Sequence, residues 1–169
     1  VAEAKKDYAE AIRFYSRASE ATQRVVRAKS LWRLGYLNFF RGKMAEAEDF
    51  YLKSLSLLPQ SELVLLDLGN LYSVTNRWRE AGDQYLRALT INPFNLNARN
   101  GLAAVLIVGK NYPAAVKELV ILTRLFPRTS LPYLNLGRLF LSLGQVQGAE
   151  PVLKQALEID PENPKAHFL

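Results

Sequence analysis

The sequence predicts an all-α fold, a solenoid of antiparallel helix pairs, and three observations carry that prediction. Pro59, Pro93, Pro127 and Pro161 stand 34 residues apart. Each is preceded two residues earlier by an aliphatic side chain, Leu57, Ile91, Leu125 or Ile159. The residues between them fall into columns on the same period, as they must when one supersecondary unit is stacked on itself, and 34 residues is the helix–turn–helix period.

Residues 1–27 read as a partial first repeat, a second helix and a connector. Ala11, Tyr15 and Ala18 have second-helix spacing, with Tyr8 three residues before Ala11. Ala11 lies 36 residues before Ala47 in place of 34, so two extra residues are expected within 21–27. Four full repeats follow, 28–61, 62–95, 96–129 and 130–163, and 164–169 start a further helix.

The columns of the full repeats describe one hairpin four times over. The seventh column is Leu34, Leu68, Leu102 and Leu136, the eighth Gly35, Gly69, Ala103 and Gly137, and the twentieth Ala47, Ala81, Ala115 and Ala149. Small residues in the last two columns let the paired helices approach closely. The twenty-fourth column, Tyr51, Tyr85, Leu119 and Leu153, fills the space beside them. Ser61, Asn95, Thr129 and Asn163 stand where a helix N-cap is needed, and the prolines end each second helix. Gly42, Asn76 and Gly144 occupy the turn inside the hairpin, where a left-handed residue closes the first helix. In 96–129, Gly109 comes one place early and Lys110 takes the turn position, so this hairpin is expected to be the least regular.

These columns resemble the tetratricopeptide repeat family. Its pattern of large residue, Leu-Gly, Tyr, Ala, Phe or Tyr, Ala and Pro is nearly complete in 62–95 as Leu65, Leu68, Gly69, Tyr72, Trp78, Ala81, Tyr85, Ala88 and Pro93. The departures are Asn38, where a large residue is expected, and Ala103, Leu119 and Leu122 in the third full repeat. The resemblance implies a right-handed superhelix whose concave wall is formed by the first helix of each repeat. Neither end carries the polar capping helix that closes an array. The expectation is therefore a segment of a longer array within a larger protein or assembly, the alternative being a short protein whose apolar ends self-associate.

Composition narrows the function. Cysteine is absent, which removes disulfides, thiolate metal sites and cysteine nucleophiles. The single histidine, His167, stands in the C-terminal stub, so neither a triad nor a His-rich metal site has material. Glu46 and Glu48 are two residues apart on a helix and diverge, and Asp160 and Glu162 flank a helix-ending proline. No glycine-rich phosphate loop follows a strand. No enzymatic activity and no cofactor are expected, and no uninterrupted apolar run reaches the roughly 18 residues a membrane span needs.

Charge is uneven. Residues 1–43 hold ten Lys or Arg against four acids, a balance of +6, while the remaining 126 residues hold twelve of each. A basic end of this kind is either an ordinary solvated surface or a dock for an anionic partner, namely an acidic peptide, a membrane surface or a nucleic acid.

The resemblance places the second, fifth, sixth, ninth, twelfth and thirteenth columns on the concave groove. The inward residues are then Lys29, Trp32, Arg33, Tyr36, Phe39 and Phe40; Leu63, Leu66, Asp67, Asn70, Ser73 and Val74; Asn97, Asn100, Gly101, Ala104, Ile107 and Val108; and Leu131, Leu134, Asn135, Arg138, Leu141 and Ser142. Asn70, Asn97, Asn100 and Asn135 could bond both N–H and C=O of an extended peptide. Trp32 and Tyr36, one turn apart, could cradle an apolar side chain, whereas Phe40 is expected to stack on the preceding helix. The carboxylate clamp with which some family members hold acidic chaperone tails is not expected. Lys29 and Arg33 fit its last pair, but the repeats before them are truncated, and a shifted register would need lysine at Leu66 and asparagine at Gly101. The leading expectation is a scaffold for a protein or peptide segment, with self-association through its open ends as a further expected contact. The alternative is that the basic end docks on a polyanion as a targeting module.

Overall fold

The computed structural model describes residues 2–20 and 23–162. Nine helices and no strand occur among the described residues: α1 (Ala2–Ser19), α2 (Arg24–Phe40), α3 (Met44–Leu57), α4 (Glu62–Val74), α5 (Trp78–Ile91), α6 (Leu96–Val108), α7 (Tyr112–Leu125), α8 (Ser130–Ser142) and α9 (Val146–Ile159). The architecture is an all-α helical-repeat solenoid built of two compact units, Val1–Pro93 and Phe94–Leu169. None of the described helices is long and apolar enough to cross a membrane.

In the first unit α2 pairs with α3 and α4 with α5, while α1 packs on α2 and α3 on α4. The pairing follows from the small columns. A Cβ added at Gly35 would stand 2.6 Å from the Tyr51 ring, and one at Gly69 would stand 2.7 Å from the Tyr85 ring. Ala47 and Ala81 are fully buried at the same contacts. An ionic knot ties α3 to the next pair: Arg77 donates to Glu48 at 2.7 Å and to Glu80 at 3.0 Å, and Tyr72 donates to Glu48 at 3.0 Å. The Arg77 guanidinium also lies 4.2 Å from the centre of the Tyr72 ring.

In the second unit α6 pairs with α7, α8 with α9, and α7 packs on α8. Its core interleaves residues from all but the last helix: Ala103, Ala115, Leu119, Leu122, Leu136 and Leu139. The departures at Ala103, Leu119 and Leu122 thus pack as one aliphatic layer, each at most 2% exposed. Asn38, the departure in the first unit, is also buried, and its Nδ2 donates to the Leu34 carbonyl at 2.8 Å within its own helix.

The punctuation explains the helix ends. Leu57, Ile91 and Leu125 close α3, α5 and α7, with a proline two residues on. Ser61, Asn95 and Thr129 precede α4, α6 and α8, yet only Asn95 caps through its side chain, accepting from the Ala98 N–H at 2.8 Å. Asn163 and the stub 164–169, with His167, lie outside the described residues. One boundary departs from the periodic expectation, since α2 begins at Arg24, four residues before position 28. The extra length adds a turn to α2, which has 17 residues where α4, α6 and α8 have 13.

The turns adopt the left-handed conformation at Gly42 (φ 74°), Asn76 (61°) and Gly144 (71°), and at Lys110 (58°) in the irregular hairpin. A lysine there is strained by its Cβ, at about 1–2 kcal/mol, whereas glycine is not. Lys110→Gly is accordingly expected to stabilise the chain by about 0.5–1 kcal/mol after the added unfolded-state entropy is subtracted. A rise in the midpoint of urea unfolding checks this, and a fall would show that Lys110 makes a compensating contact.

Candidate functional site

The columns expected to face inward lie on α2, α4, α6 and α8. In the first unit they put Lys29, Trp32, Arg33, Tyr36 and Phe40 on α2 and Asp67 and Asn70 on α4. The Trp32 indole Nε1–H donates to Asp67 Oδ2 at 2.7 Å, which fixes the ring. The Arg33 guanidinium lies 4.4 Å from the centre of that ring. Trp32, Tyr36 and Phe40 then form a row, with centroids 6.5 Å and 4.6 Å apart. The ring contacts of Phe40 among the described residues lie within its own helix, where stacking on the preceding one was expected. Phe40 is 58% exposed and packs on Tyr36 and Phe39, because as the last residue of α2 it lies one turn from Tyr36. Lys29, Trp32 and Arg33 also line a cleft of about 480 Å³ with Tyr15, Leu58, Leu63 and Val64.

Asn70 is on this face but is engaged: its Oδ1 accepts from the Tyr85 hydroxyl at 2.8 Å, and that hydroxyl lies 3.1 Å from Ser73 Oγ. Burial pushes the Tyr85 phenol above its ordinary range. Burial likewise raises the Asp67 carboxyl, and the Trp32 hydrogen bond and the Arg33 charge offset only part of this. A carboxyl raised in the folded state favours folding most below its unfolded pKa and loses that contribution as pH rises through the folded value. Asp67→Asn keeps an acceptor for the indole without a buried charge. It is expected to melt above the parent at pH 7, with the gap closing below about pH 4. A lower melting temperature for the variant at pH 7 would show that the charge itself holds the helices.

In the second unit, α6 and α8 enclose a cleft of about 500 Å³. Asn100, Ala104, Ile107 and Val108 line it from α6, Asn135, Arg138 and Ser142 from α8, and Ala103, Leu119 and Leu139 form its apolar floor. Asn135 Nδ2 donates to Asn100 Oδ1 at 2.7 Å, so the two carboxamides act as one polar bridge. Among the described residues the pair makes no other hydrogen bond, which leaves donors on both nitrogens and an acceptor on Asn135 Oδ1. Arg138 is exposed and has no ion pair among the described residues. Asn97 is exposed on α6 but does not line the cleft. Leu134, placed on the groove by its column, is instead 3% exposed and packs with Ala149, Leu153 and Ala156 of α9. An apolar side chain at that column gains by turning into its own hairpin, whereas the Asn100 carboxamide stays half-buried on the cleft wall.

The bonds Trp32–Asp67 and Asn100–Asn135 both span 35 residues, one period plus one. The same geometric relation, fifth column to sixth column of the next repeat, therefore recurs in each unit. Both columns are legible in the sequence as groove positions, and the recurring separation of 35 residues is the signal of their pairing.

Comparison with known proteins settles the family. A family model described as the tetratricopeptide repeat matches residues 1–62, 66–127 and 111–164. The chain belongs to the tetratricopeptide repeat family. This array also resembles the crystal structure of MamA, with a TM-score of 0.84 and 22% identity over 95% of this chain and 92% of that one. Its likeness to YrrB, described as a TPR protein with an unusual peptide-binding site, has a TM-score of 0.81 and 19% identity over 98% of this chain and 84% of that one. Both are likenesses of fold. In sequence, 112 residues are 30% identical to anaphase-promoting complex subunit 3 of Dictyostelium discoideum, covering 66% of this chain and 12% of that protein. Tetratricopeptide arrays are protein-interaction scaffolds, and that is the function class this membership supports.

Proposed function

We propose that the chain is a non-catalytic scaffold that holds an extended peptide segment, in the second unit within the cleft between α6 and α8. The observation that carries this reading is the Asn100–Asn135 bridge on a cleft otherwise floored by Ala103, Leu119 and Leu139. An extended backbone offers N–H and C=O in alternation, which an amide pair with open donors and an open acceptor can meet. Its side chains enter the apolar part beside Ala104, Ile107 and Val108. Arg138 adds a fixed charge for a ligand carboxylate. The fold likeness to a peptide-binding TPR protein accords with this reading.

The test is a selection of random displayed peptides on the whole chain, with affinities then measured by fluorescence anisotropy. Replacing Asn100, Asn135 and Arg138 together by Ala is expected to weaken binding at least about tenfold, as loss of a central contact does. Helical content should stay unchanged, because Arg138 is exposed and replacing both half-buried amides together leaves neither one unpaired. Asn70 is left out of this set, since its bond to Tyr85 makes it part of the structure. The alternative, polyanion docking by the basic end, rests on Arg13 and Arg17 of α1, exposed on either side of Phe14, itself 68% exposed. If reversing Arg13 and Arg17 abolishes binding and the triple variant binds normally, docking replaces the cleft.

A further inference from the structure

The first and last of the described helices each present a face that meets no other described helix, and the two faces are complementary. On α1, Ala11, Ile12 and Tyr15 are half-buried, whereas Glu10, Arg13, Phe14 and Arg17 share an exposed face. Phe14 is 68% exposed, and its ring rests edge-on against Tyr15 with centroids 5.3 Å apart. On α9, Val146, Ala149, Leu153 and Leu157 join Leu141 of α8 in an apolar cleft of about 470 Å³, rimmed by Glu150 and Lys154. The inner pairs show what such a face receives. Leu55 stands three periods before Leu157 and is only 7% exposed, in a helix that packs on α4. Glu48 stands three periods before Glu150 and accepts from Arg77 and Tyr72 of the next pair. The α9 face therefore repeats a surface that elsewhere takes a neighbouring helix together with an arginine.

Charge and spacing select the occupant. Residues 146–162 hold four acids against Lys154, a balance of −3, and residues 11–29 hold five Lys or Arg against Glu20, a balance of +4. Arg13, Arg17, Glu150 and Glu158 are exposed, and none of them makes an ion pair among the described residues. When Glu10 is set against Lys154, Arg13 and Phe14 lie one turn along α1, and an acid, Glu150 or Glu158, lies one turn along α9 in either direction. The ring then meets the cleft while the arginines meet the acids.

We infer that copies of this chain associate head to tail, the exposed face of α1 in one copy seated on the α8–α9 cleft of the next. Phe14 fills the cleft, and Arg13 and Arg17 pair with Glu150 and Glu158. Because the two faces differ, the contact is heterologous and can propagate from copy to copy. It does not depend on the peptide cleft between α6 and α8.

Sedimentation velocity of the full chain over a concentration series is expected to show reversible association that weakens as salt rises. Arg13→Glu with Arg17→Glu, and separately Glu150→Lys with Glu158→Lys, should each weaken it at least about tenfold at unchanged helical content. Mixing these two variants should restore it, because each keeps one natural face and the two reversed faces match, a gain that unfolding cannot imitate. Phe14→Ser should also weaken it, and Asn100→Ala with Asn135→Ala should leave it unchanged. A monomer at every concentration overturns the inference, and so does a mixture that fails to associate. Full association of either charge-reversed variant alone overturns it as well, since the contact would then pair like faces. Loss of association in the Asn100 and Asn135 variant would seat α1 in the peptide cleft instead. Association that appears only after residues 164–169 are deleted would assign the α8–α9 cleft to that segment, and either result overturns the head-to-tail contact.

Discussion

Gly69→Leu is expected to destabilise the chain by about 3 kcal/mol or more, a large part of the roughly 5–15 kcal/mol that holds a domain folded. Even the first carbon of the new side chain meets Tyr85 Cε1 at 2.7 Å and Cδ1 at 2.9 Å. That ring cannot step aside, because it is only 2% exposed and its hydroxyl is held by Asn70 and Ser73. The helices α4 and α5 must therefore separate, which strips contacts from Leu68, Ala81 and Ala88 together. Gly137→Leu should act in the same sense but less severely. Its Cβ would meet Leu153 Cγ at 2.5 Å, yet Leu153 is 8% exposed and carries no hydrogen bond to hold it. Thermal melts of the two variants decide the matter, and an unchanged midpoint for both would refute the close contact.

Tyr85→Ala is expected to cost about 3–5 kcal/mol, the range for deleting a buried aromatic side chain. The ring fills the space that the Gly69 column leaves open, so its removal creates a cavity between α4 and α5 and also frees the Asn70 carboxamide. Tyr85→Phe separates the two effects. It keeps the ring and loses only the hydroxyl bonds to Asn70 and Ser73, for which about 1 kcal/mol is expected. Urea unfolding of both variants gives the ratio. If Phe costs as much as Ala, the hydrogen bonds hold this hairpin and packing does not.

Much of this architecture was legible in the chain. The spacing of Pro59, Pro93, Pro127 and Pro161 determined the number and length of the helix pairs, because proline can stand just past a helix but not within its ladder. The small and large columns determined which helices pair, because backbone approach depends on side-chain size at the contact. The left-handed turns at Gly42, Asn76 and Gly144 followed from the same period, and so did the strain at Lys110, where the column holds the wrong residue. These are local or strictly periodic properties.

Only the tertiary structure decided how the candidate faces are wired. Whether an inward column meets solvent or its own hairpin depends on the side chain and on what packs beside it, which is why Leu134 is buried against α9 while Asn100, at the same column, lines a cleft. Trp32 with Asp67, Asn100 with Asn135, and Asn70 with Tyr85 are partnerships across helices. A one-dimensional pattern lists such residues as neighbours of a surface, whereas hydrogen bonds depend on distances of a few tenths of an ångström between side chains that only packing brings together.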